Sequence, residues 1–498
     1  MNKKNFDIEK ELYIKNWSMI NWKQVSQVVF NTQKKIWEAS SAGNINLLRN
    51  LQKKSFNSWS FKLLSVKQVT NKQFLQNIAG IKYKTYIPNE YKLELTKTLT
   101  IQGSSINLMQ VDINQQNLPK IIQDSALQML VKMIIEPEWD ALLEDNVFGD
   151  RAGYTLHDAI SQICSLTHKR EGYNYIIHGH IKKKFAYVNK NYLIKKSKYS
   201  GLISRQLEAW LNAECLEVDQ LFTNIFPKDK KSVISSLVNN ILLHGLEWQV
   251  EKVFGMNPRC CLITKKVQSG APLKIIRFLD HIIIVLKRID EVNNIVKEIN
   301  SFLSQADLEV NKDTTELAHI EKGFNFLGFH IRRFQEQDKP SVTPSKESMK
   351  HHYLNLRSAL YHKQEGKTRA TTNKALEDVI KDLNPIITNW SLYYKDFIPS
   401  DIFRSLDWKI SNTIYRWFKK KVKSVNTLAK WKKNCQVVLN GRQRIGTSFN
   451  SVLVLHSSFK YNNYTLPPYG KSFYDGDYTY WSTRLNQIST DVLKVLDK

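Results

Sequence analysis

The chain has 498 residues and a formal charge of +27, from 73 Lys and Arg against 46 Asp and Glu. This charge balance fits a polyanionic partner and argues against a cationic one. The length holds about two to four domains and a large core, and no apolar run approaches the roughly 20 residues that span a bilayer. The 5 cysteines, Cys164, Cys215, Cys260, Cys261 and Cys435, form no Cys-x-x-Cys pair. That argues against a disulfide scaffold or a structural zinc site and for a reducing compartment. Met1 to Lys15 is polar and carries Asp7, Glu9 and Glu11, so it has neither a secretory apolar core nor the acid-poor character of a transit peptide. Lys, Asn, Ile and Tyr are all frequent, the habit of an A/T-rich genome, and such a bias raises Lys without any function attached.

Residues 17 to 55 show helical spacing, with Trp22, Val25, Val29 and Ile36 on one face and Leu47, Leu48 and Leu51 continuing it. Lys34, Lys35, Arg49, Lys53 and Lys54 lie along the same segment, so one face can be buried while the other meets phosphates. Residues 71 to 120 are polar, with few landmarks. From 121 to 335 helical and strand-like runs alternate, as in a mixed α/β domain. Within that stretch Lys274-Ile275-Ile276-Arg277 and Ile282-Ile283-Ile284-Val285 read as strand, tight turn, strand, with Phe278-Leu279-Asp280-His281 at the tip. Residues 336 to 345, with Pro340 and Pro344, form the best linker candidate. Beyond it, 346 to 435 reads as helices: Ile410, Ile414, Trp417 and Phe418 recur at helical spacing, followed by Lys419, Lys420, Lys421 and Lys423. The remainder is aromatic and turn-rich.

The C-terminal half interleaves flat and cationic side chains: Trp390, Tyr393, Tyr394 and Lys395; Trp408, Arg416, Trp417, Lys419, Lys420 and Lys421; Lys430, Trp431, Lys432 and Lys433. Lysines neutralise phosphates, and aromatics stack on unpaired bases for about 1–3 kcal/mol each. The bland reading puts the tryptophans in the core and leaves only the lysines in solvent. It is preferred for Trp417, on the apolar stripe, whereas for Lys419 to Lys421 a phosphate role and a solvated face weigh equally.

Several stretches resemble, in order, the group II intron reverse transcriptases of the intron-encoded maturase type. Trp59 to Thr70 resembles their N-terminal extension; Gln123-Asp124-Ser125-Ala126-Leu127-Gln128 and Glu136-Pro137-Glu138-Trp139-Asp140 resemble the fingers–palm junction. Phe148 to Ile160, which contains Thr155-Leu156-His157-Asp158-Ala159, is similar to the segment Gly-Phe-Arg-Pro-Gly-Arg-Ser-x-His-Asp-Ala. Ser232 to Leu246, Gly323 to Phe329, Leu383 to Trp390 with Tyr393-Tyr394, and Tyr474 to Leu485 continue the likeness. The resemblance implies an α/β fold: right-hand polymerase-like fingers and palm with a helical thumb/maturase region. It divides the chain into a helical RNA-binding extension (1–70), degenerate fingers and palm (71–335), a helical thumb and maturase domain (336–435) and a C-terminal segment (436–498) lacking an HNH endonuclease.

At the polymerase site the chain departs from the family. Two-metal nucleotidyl transfer needs carboxylates converging on Mg²⁺ ions about 3.5–4 Å apart, because Mg²⁺ wants hard oxygen ligands. The family carries Tyr-Ala-Asp-Asp at the hairpin and Asp-Ile-x-x-x-Phe on a neighbouring strand. Here the hairpin has Asp280 and His281, and the strand reads His180-Ile181-Lys182-Lys183-Lys184-Phe185, followed by Ala186. The family's Gln-Gly-Gly falls on Lys230-Lys231-Ser232. The expectation is therefore no enzyme, no cofactor and no bound metal, with His180, Asp280 and His281 as degenerate positions. His178, His180, Asp280 and His281 would also suit a transition metal, but decay of an unneeded site is the preferred reading.

The implied function is that of an RNA-binding splicing factor, a maturase that stabilises a folded group II or group II-derived intron for excision without reverse transcription. A residual RNA-directed DNA polymerase and a general RNA-folding scaffold stand as alternatives. The candidate RNA contacts are Lys34, Lys35, Lys53, Lys54, Trp390, Tyr393, Tyr394, Arg416, Lys419, Lys420, Lys421, Lys432 and Lys433. The partner is intron RNA, with host splicing proteins allowed and no membrane; the oligomeric state is left open. The compartment expected from the codon-like bias is a plastid, then a mitochondrion, then a bacterium.

Overall fold

A computed structural model describes residues 16–71, 87–104, 118–182, 188–213, 232–253, 272–311, 315–364, 367–439, 441–459 and 464–485. The described residues of Met1–Leu166, Glu171–Leu317 and Pro467–Trp481 form one unit, and those of Thr167–Arg170, Ala318–Leu466 and Ser482–Lys498 a second.

The first unit opens with α1 (Trp22–Ser41), α2 (Ile45–Asn57), α3 (Trp59–Val69) and α4 (Asn89–Thr98), followed by α5 (Leu118–Leu142). The stripe expected over 17 to 55 is split between two helices. Gly43, at φ 68°, ends the first, and the side chain of Asn44 caps the second by accepting from Leu47 N at 3.1 Å. Val25, Val29, Ile36 and Leu48 are buried as expected, but Leu47 faces solvent because the break rotates it outward. α1 and α3 both pack along α5. That helix is buried nearly all round: Ile121, Ile122, Leu130, Val131, Ile134 and Ile135 are covered on several of its sides, together with the polar Asp124, Gln128, Glu138 and Asp140.

The chain continues through α6 (Leu156–Leu166), β1 (Tyr175–Lys182), α7 (Lys190–Ser197), α8 (Leu202–Asn212), α9 (Ser235–Leu243), α10 (Leu246–Val253), β2 (Leu273–Phe278), β3 (His281–Leu286), α11 (Val292–Ser304), β4 (Glu309–Val310) and β5 (Glu316–His319). The sheet runs β2-β3-β1-β4, with β5 also pairing β1; β2, β1 and β4 meet their neighbours antiparallel. Every residue of β3 is buried, which explains an uninterrupted Ile-Ile-Ile-Val run rather than alternation.

In the second unit β6 (Phe324–Phe326), β7 (Phe329–Arg332) and β8 (Ser341–Pro344) make a meander. The linker expected at 336–345 is corrected here: Ser341 to Pro344 pairs with Arg332 to Phe329. Pro344 is tolerated because β8 is an edge strand. Then come α12 (Lys346–Ser358), the hairpin β9 (Tyr361–Gln364) and β10 (Lys367–Ala370), α13 (Leu376–Tyr394), α14 (Ser400–Val422), α15 (Thr427–Cys435), β11 (Gln436–Leu439), β12 (Arg442–Ser448) and β13 (Ser451–Val452). Val379, Ile380, Leu383, Ile387, Ile410, Ile414, Trp417 and Trp431 form one buried cluster. No described helix is long and apolar enough to cross a membrane.

Candidate functional site

The turn between β2 and β3 is two residues long, since Phe278 pairs with His281. Leu279 adopts φ 56°, a left-handed backbone conformation that is costly for a bulky residue and that the surroundings must enforce. Antiparallel register places His180 of β1 directly opposite His281 of β3, and His178, two residues along β1, shares that face. Three imidazoles therefore converge. His178 Nε2 lies 3.2 Å from His281 Nδ1, and the His180 and His281 ring centroids are 4.0 Å apart. One ring nitrogen from each can be chosen so that all lie within 4.8 Å of one another. His178 and His281 are buried and His180 half-buried. Burial, reinforced by the neighbouring rings, pushes His178 down to about 3, and burial lowers His180. His178 is thus uncharged at neutral pH. Decay of an unneeded site would leave solvent-facing or hydrogen-bonded histidines; here they form one packed group, with His178 and His281 within hydrogen-bond distance. Lys183, Lys184, Phe185, Ala186, Lys230 and Lys231 lie outside the described residues, as does the side chain of Lys182.

The frame around the turn is intact. A Cβ on Gly149 would come within 2.2 Å of Leu279 N, so only glycine lets the 148–150 segment approach the hairpin. Asn239 of α9 donates to Leu279 O at 3.0 Å and Asn240 to Gly149 O at 2.8 Å. Ser232 Oγ donates to Gln128 Oε1 at 2.7 Å. Beneath the turn, Arg277 Nη2 donates to Glu144 Oε2 at 2.7 Å, with both side chains no more than 3% exposed. Glu144 also accepts from Gly245 N at 2.6 Å and faces His244 at 3.3 Å. Burial alone would raise the Glu144 carboxyl, but Arg277 and His244 outweigh it and hold it well below the usual carboxylate range. Two further ion pairs are anchored on α5: the buried pair of Arg151 with Asp140 at 2.7 Å, and the part-exposed Arg49 with the buried Glu138 at 2.9 Å. Asp140, Arg151 and Glu138 lie within the family-like motifs, and no role for them follows from the motifs alone. Acids set in the apolar run of α5 were the available signal.

The candidate RNA contacts divide by exposure. Lys35, Lys53 and Lys54 of the first unit are exposed, while Lys34 is half-buried and 3.8 Å from Glu38. In the second unit Arg416, Lys419 and Lys420 are exposed at i, i+3 and i+4 on α14, and Lys432 and Lys433 on α15. Lys421 is different, because its Nζ donates to Thr372 O at 3.0 Å and also to Lys374 O. The aromatic assignments need correction. Trp390 is 8% exposed and stacks on His352 with centroids 4.4 Å apart, and Tyr394 is 2% exposed. Tyr394 OH donates to Gly328 O at 2.9 Å, and the half-buried Tyr393 donates to Leu327 O at 2.7 Å. Trp390 and Tyr394 offer no face to a base, because α13 continues its apolar stripe through both. Trp417 is buried as preferred above. Trp408, by contrast, is 67% exposed.

Three family descriptions match successive stretches of the chain: the N-terminal domain of reverse transcriptase at 17–99, reverse transcriptase (RNA-dependent DNA polymerase) at 118–331, and the group II intron maturase-specific domain at 358–436. The chain belongs to the group II intron reverse transcriptase and maturase family. Among its relatives, Maturase-like protein 1 of Euglena gracilis is 25% identical over 394 residues, covering 75% of this chain and 76% of that one. The Euglena longa protein of the same name is 23% identical over 406 residues, covering 77% and 78%. The solved telomerase of Candida albicans, in complex with a fragment of telomeric RNA, superposes with a TM-score of 0.27 at 14% identity, over 57% of this chain. This chain spans about half, 50%, of that one's length. The expected α/β fold, a reverse transcriptase core with helical flanks, is the one observed.

The maturase-specific stretch of this family member leads into a polar network that the sequence reading missed. Asp407 of α14 accepts from His456 N at 2.7 Å and from His456 Nδ1 at 2.8 Å, and His456 Nε2 lies 2.8 Å from His352 Nε2 of α12. His352 and His456 are fully buried. Burial first, and His456 second, push His352 down to about 3. Its folded value thus lies below the unfolded value of about 6.5. The contribution to stability is complete above pH 6.5 and is lost as pH falls from there toward 3, by about 1.4 kcal/mol per pH unit. Urea unfolding, followed by tryptophan fluorescence at pH 7 and pH 5, should show that loss in the wild type. The His352→Gln protein should show a shallower pH dependence, and an equal slope in the two proteins would refute the assignment.

Proposed function

We propose that this maturase-family protein binds the folded RNA of a group II or group II-derived intron, stabilises it for excision, and does not synthesise DNA. The observation that carries the reading is the face of β1 and β3 where the family presents carboxylates. It holds three imidazoles, with Asp280 on the adjoining turn. Neutral imidazole is a poor Mg²⁺ ligand, and one carboxylate cannot offset two divalent ions. The protein frame around that face is nonetheless built to close tolerance, which supports selection for a folded scaffold rather than wholesale decay. The splicing chemistry in this reading belongs to the RNA, and the exposed cations on α14 and α15 hold phosphates.

In the same proposal residues 1–70 extend the RNA contact, 71–335 are degenerate fingers and palm, 336–435 are thumb and maturase domain, and 436–498 are an aromatic, turn-rich C-terminal segment. A plastid is the compartment proposed, in keeping with the Euglena relatives and the nucleotide bias. Immunoprecipitation from the source organism, with sequencing of the bound RNA, tests the RNA role. Enrichment of one or a few unspliced introns is expected, and a flat profile would sink it. Primer extension tests the other half. His281→Asp should leave extension at background because His180 still displaces a ligand, and robust synthesis by that single variant would show a recoverable polymerase.

A further inference from the structure

The loss of carboxylates left something more specific than a gap. We propose that His178, His180 and His281 form a three-histidine site for one late first-row transition-metal ion, Zn²⁺ foremost, and that this ion fastens the β2–β3 hairpin to β1. The register alone assembles the site. His180 and His281 are cross-strand partners, and His178 is the next residue of β1 on the same face. Three rings on two adjacent strands are therefore held in place by main-chain hydrogen bonds, with no loop rearrangement needed.

The spacing fits a small ion. Zn–N bonds of about 2.0–2.1 Å at tetrahedral angles place ligand nitrogens about 3.3 Å apart. The His178 Nε2 to His281 Nδ1 distance is already 3.2 Å. The remaining separations, 4.8 Å at most, close by rotation of the half-buried His180 ring. Asp280 adjoins His281 on the turn, near enough for its charge to act on His178 and His180. It supplies charge balance from outside the convergent set of ring nitrogens, and water takes the fourth position.

The donor set also decides which ion binds. Imidazole nitrogens suit Zn²⁺, Cu²⁺ and Ni²⁺, whereas Mg²⁺ wants carboxylate and water oxygens. The same replacements that remove polymerase chemistry thus change the metal preference of this face. Because the three ligands come from two strands and lie together only in the folded chain, an ion bound there stabilises the native state by mass action. The role proposed is structural and independent of the RNA-binding reading.

Full-length protein stripped of metal should bind one equivalent of Co²⁺, giving the visible ligand-field bands of a four-coordinate ion. Zn²⁺ should displace it, and excess Mg²⁺ should not. His180→Asn should weaken binding by more than the ~10–100-fold typical of losing a mere outer-shell partner. The exposed His351→Asn should bind as the wild type does. Equal Co²⁺ affinity in His180→Asn, loss in His351→Asn, or displacement by Mg²⁺ would each overturn the proposal. X-ray absorption on the zinc-loaded wild type needs no variant. Three imidazoles at the bond length above are expected, and fewer than two would refute the site.

Discussion

Glu144→Ala should destabilise the reverse transcriptase domain by about 3–5 kcal/mol, the usual result of removing one partner from a buried ion pair. The reason lies in what stays behind. Arg277 keeps a charge on a side chain 3% exposed, and its Nη1 already lacks a hydrogen-bond partner among the described residues. Gly245 N and His244 lose their acceptor in the same stroke. Natural domains are stable by only about 5–15 kcal/mol, so the variant should sit near its unfolding threshold. Urea titration should show a lower midpoint at an unchanged slope. Glu38→Ala, which breaks an exposed pair with Lys34 at 3.8 Å, should cost no more than about 0.5 kcal/mol. The double replacement Glu144→Leu with Arg277→Leu should be milder than Glu144→Ala alone, because no orphaned charge remains. If Glu144→Ala and Glu38→Ala shift the midpoint equally, the buried pair does not hold the hairpin.

Replacing Arg416, Lys419, Lys420, Lys432 and Lys433 together by Ala should weaken binding to structured RNA at least ~10-fold and flatten its salt dependence. Each phosphate contact contributes about 0.7–0.9 to the slope of log affinity against log salt, so five contacts would lower it by about 3.5–4.5. All five side chains are exposed, which is why their loss should leave the fold unchanged. Lys421→Ala should act in the opposite way. Its ammonium is spent on the carbonyls of Thr372 and Lys374, so stability should fall while the salt slope stays the same. Trp408→Ala separates stacking from charge: a base stacked there contributes about 1–3 kcal/mol with little salt dependence. An unchanged slope in the fivefold variant would remove α14 and α15 from the RNA surface.

Much of this was legible in the sequence for local reasons. The β2–β3 hairpin follows from two β-branched runs around a tight turn, and α14 from its apolar period. The family follows from ordered short stretches, although each is weak alone. The burial of Trp390 and Tyr394 was legible too, since Leu376, Val379, Leu383 and Ile387 lead into them at helical spacing. Reading aromatics beside lysines as a stacking surface overrode that stripe. The split between α1 and α2 was likewise signalled by Gly43-Asn44.

The family, the mixed helix and sheet class, the positive charge and the presence of His180 and His281 on two strand-like runs are all written in the local sequence. Tertiary structure alone decided that those two histidines face each other, that His178 joins them, and that Glu144 is paired with Arg277, more than a hundred positions along the chain. It also decided that Asp407, His456 and His352 form one chain of hydrogen bonds, and that Lys421 is tied down while Lys419 and Lys420 are free to reach solvent. The physical reason is range. Backbone propensity and apolar period act over a few residues and leave a mark in the local sequence. Strand register, buried charge pairing and the exposure of one lysine among three are set by whichever distant segment packs against them.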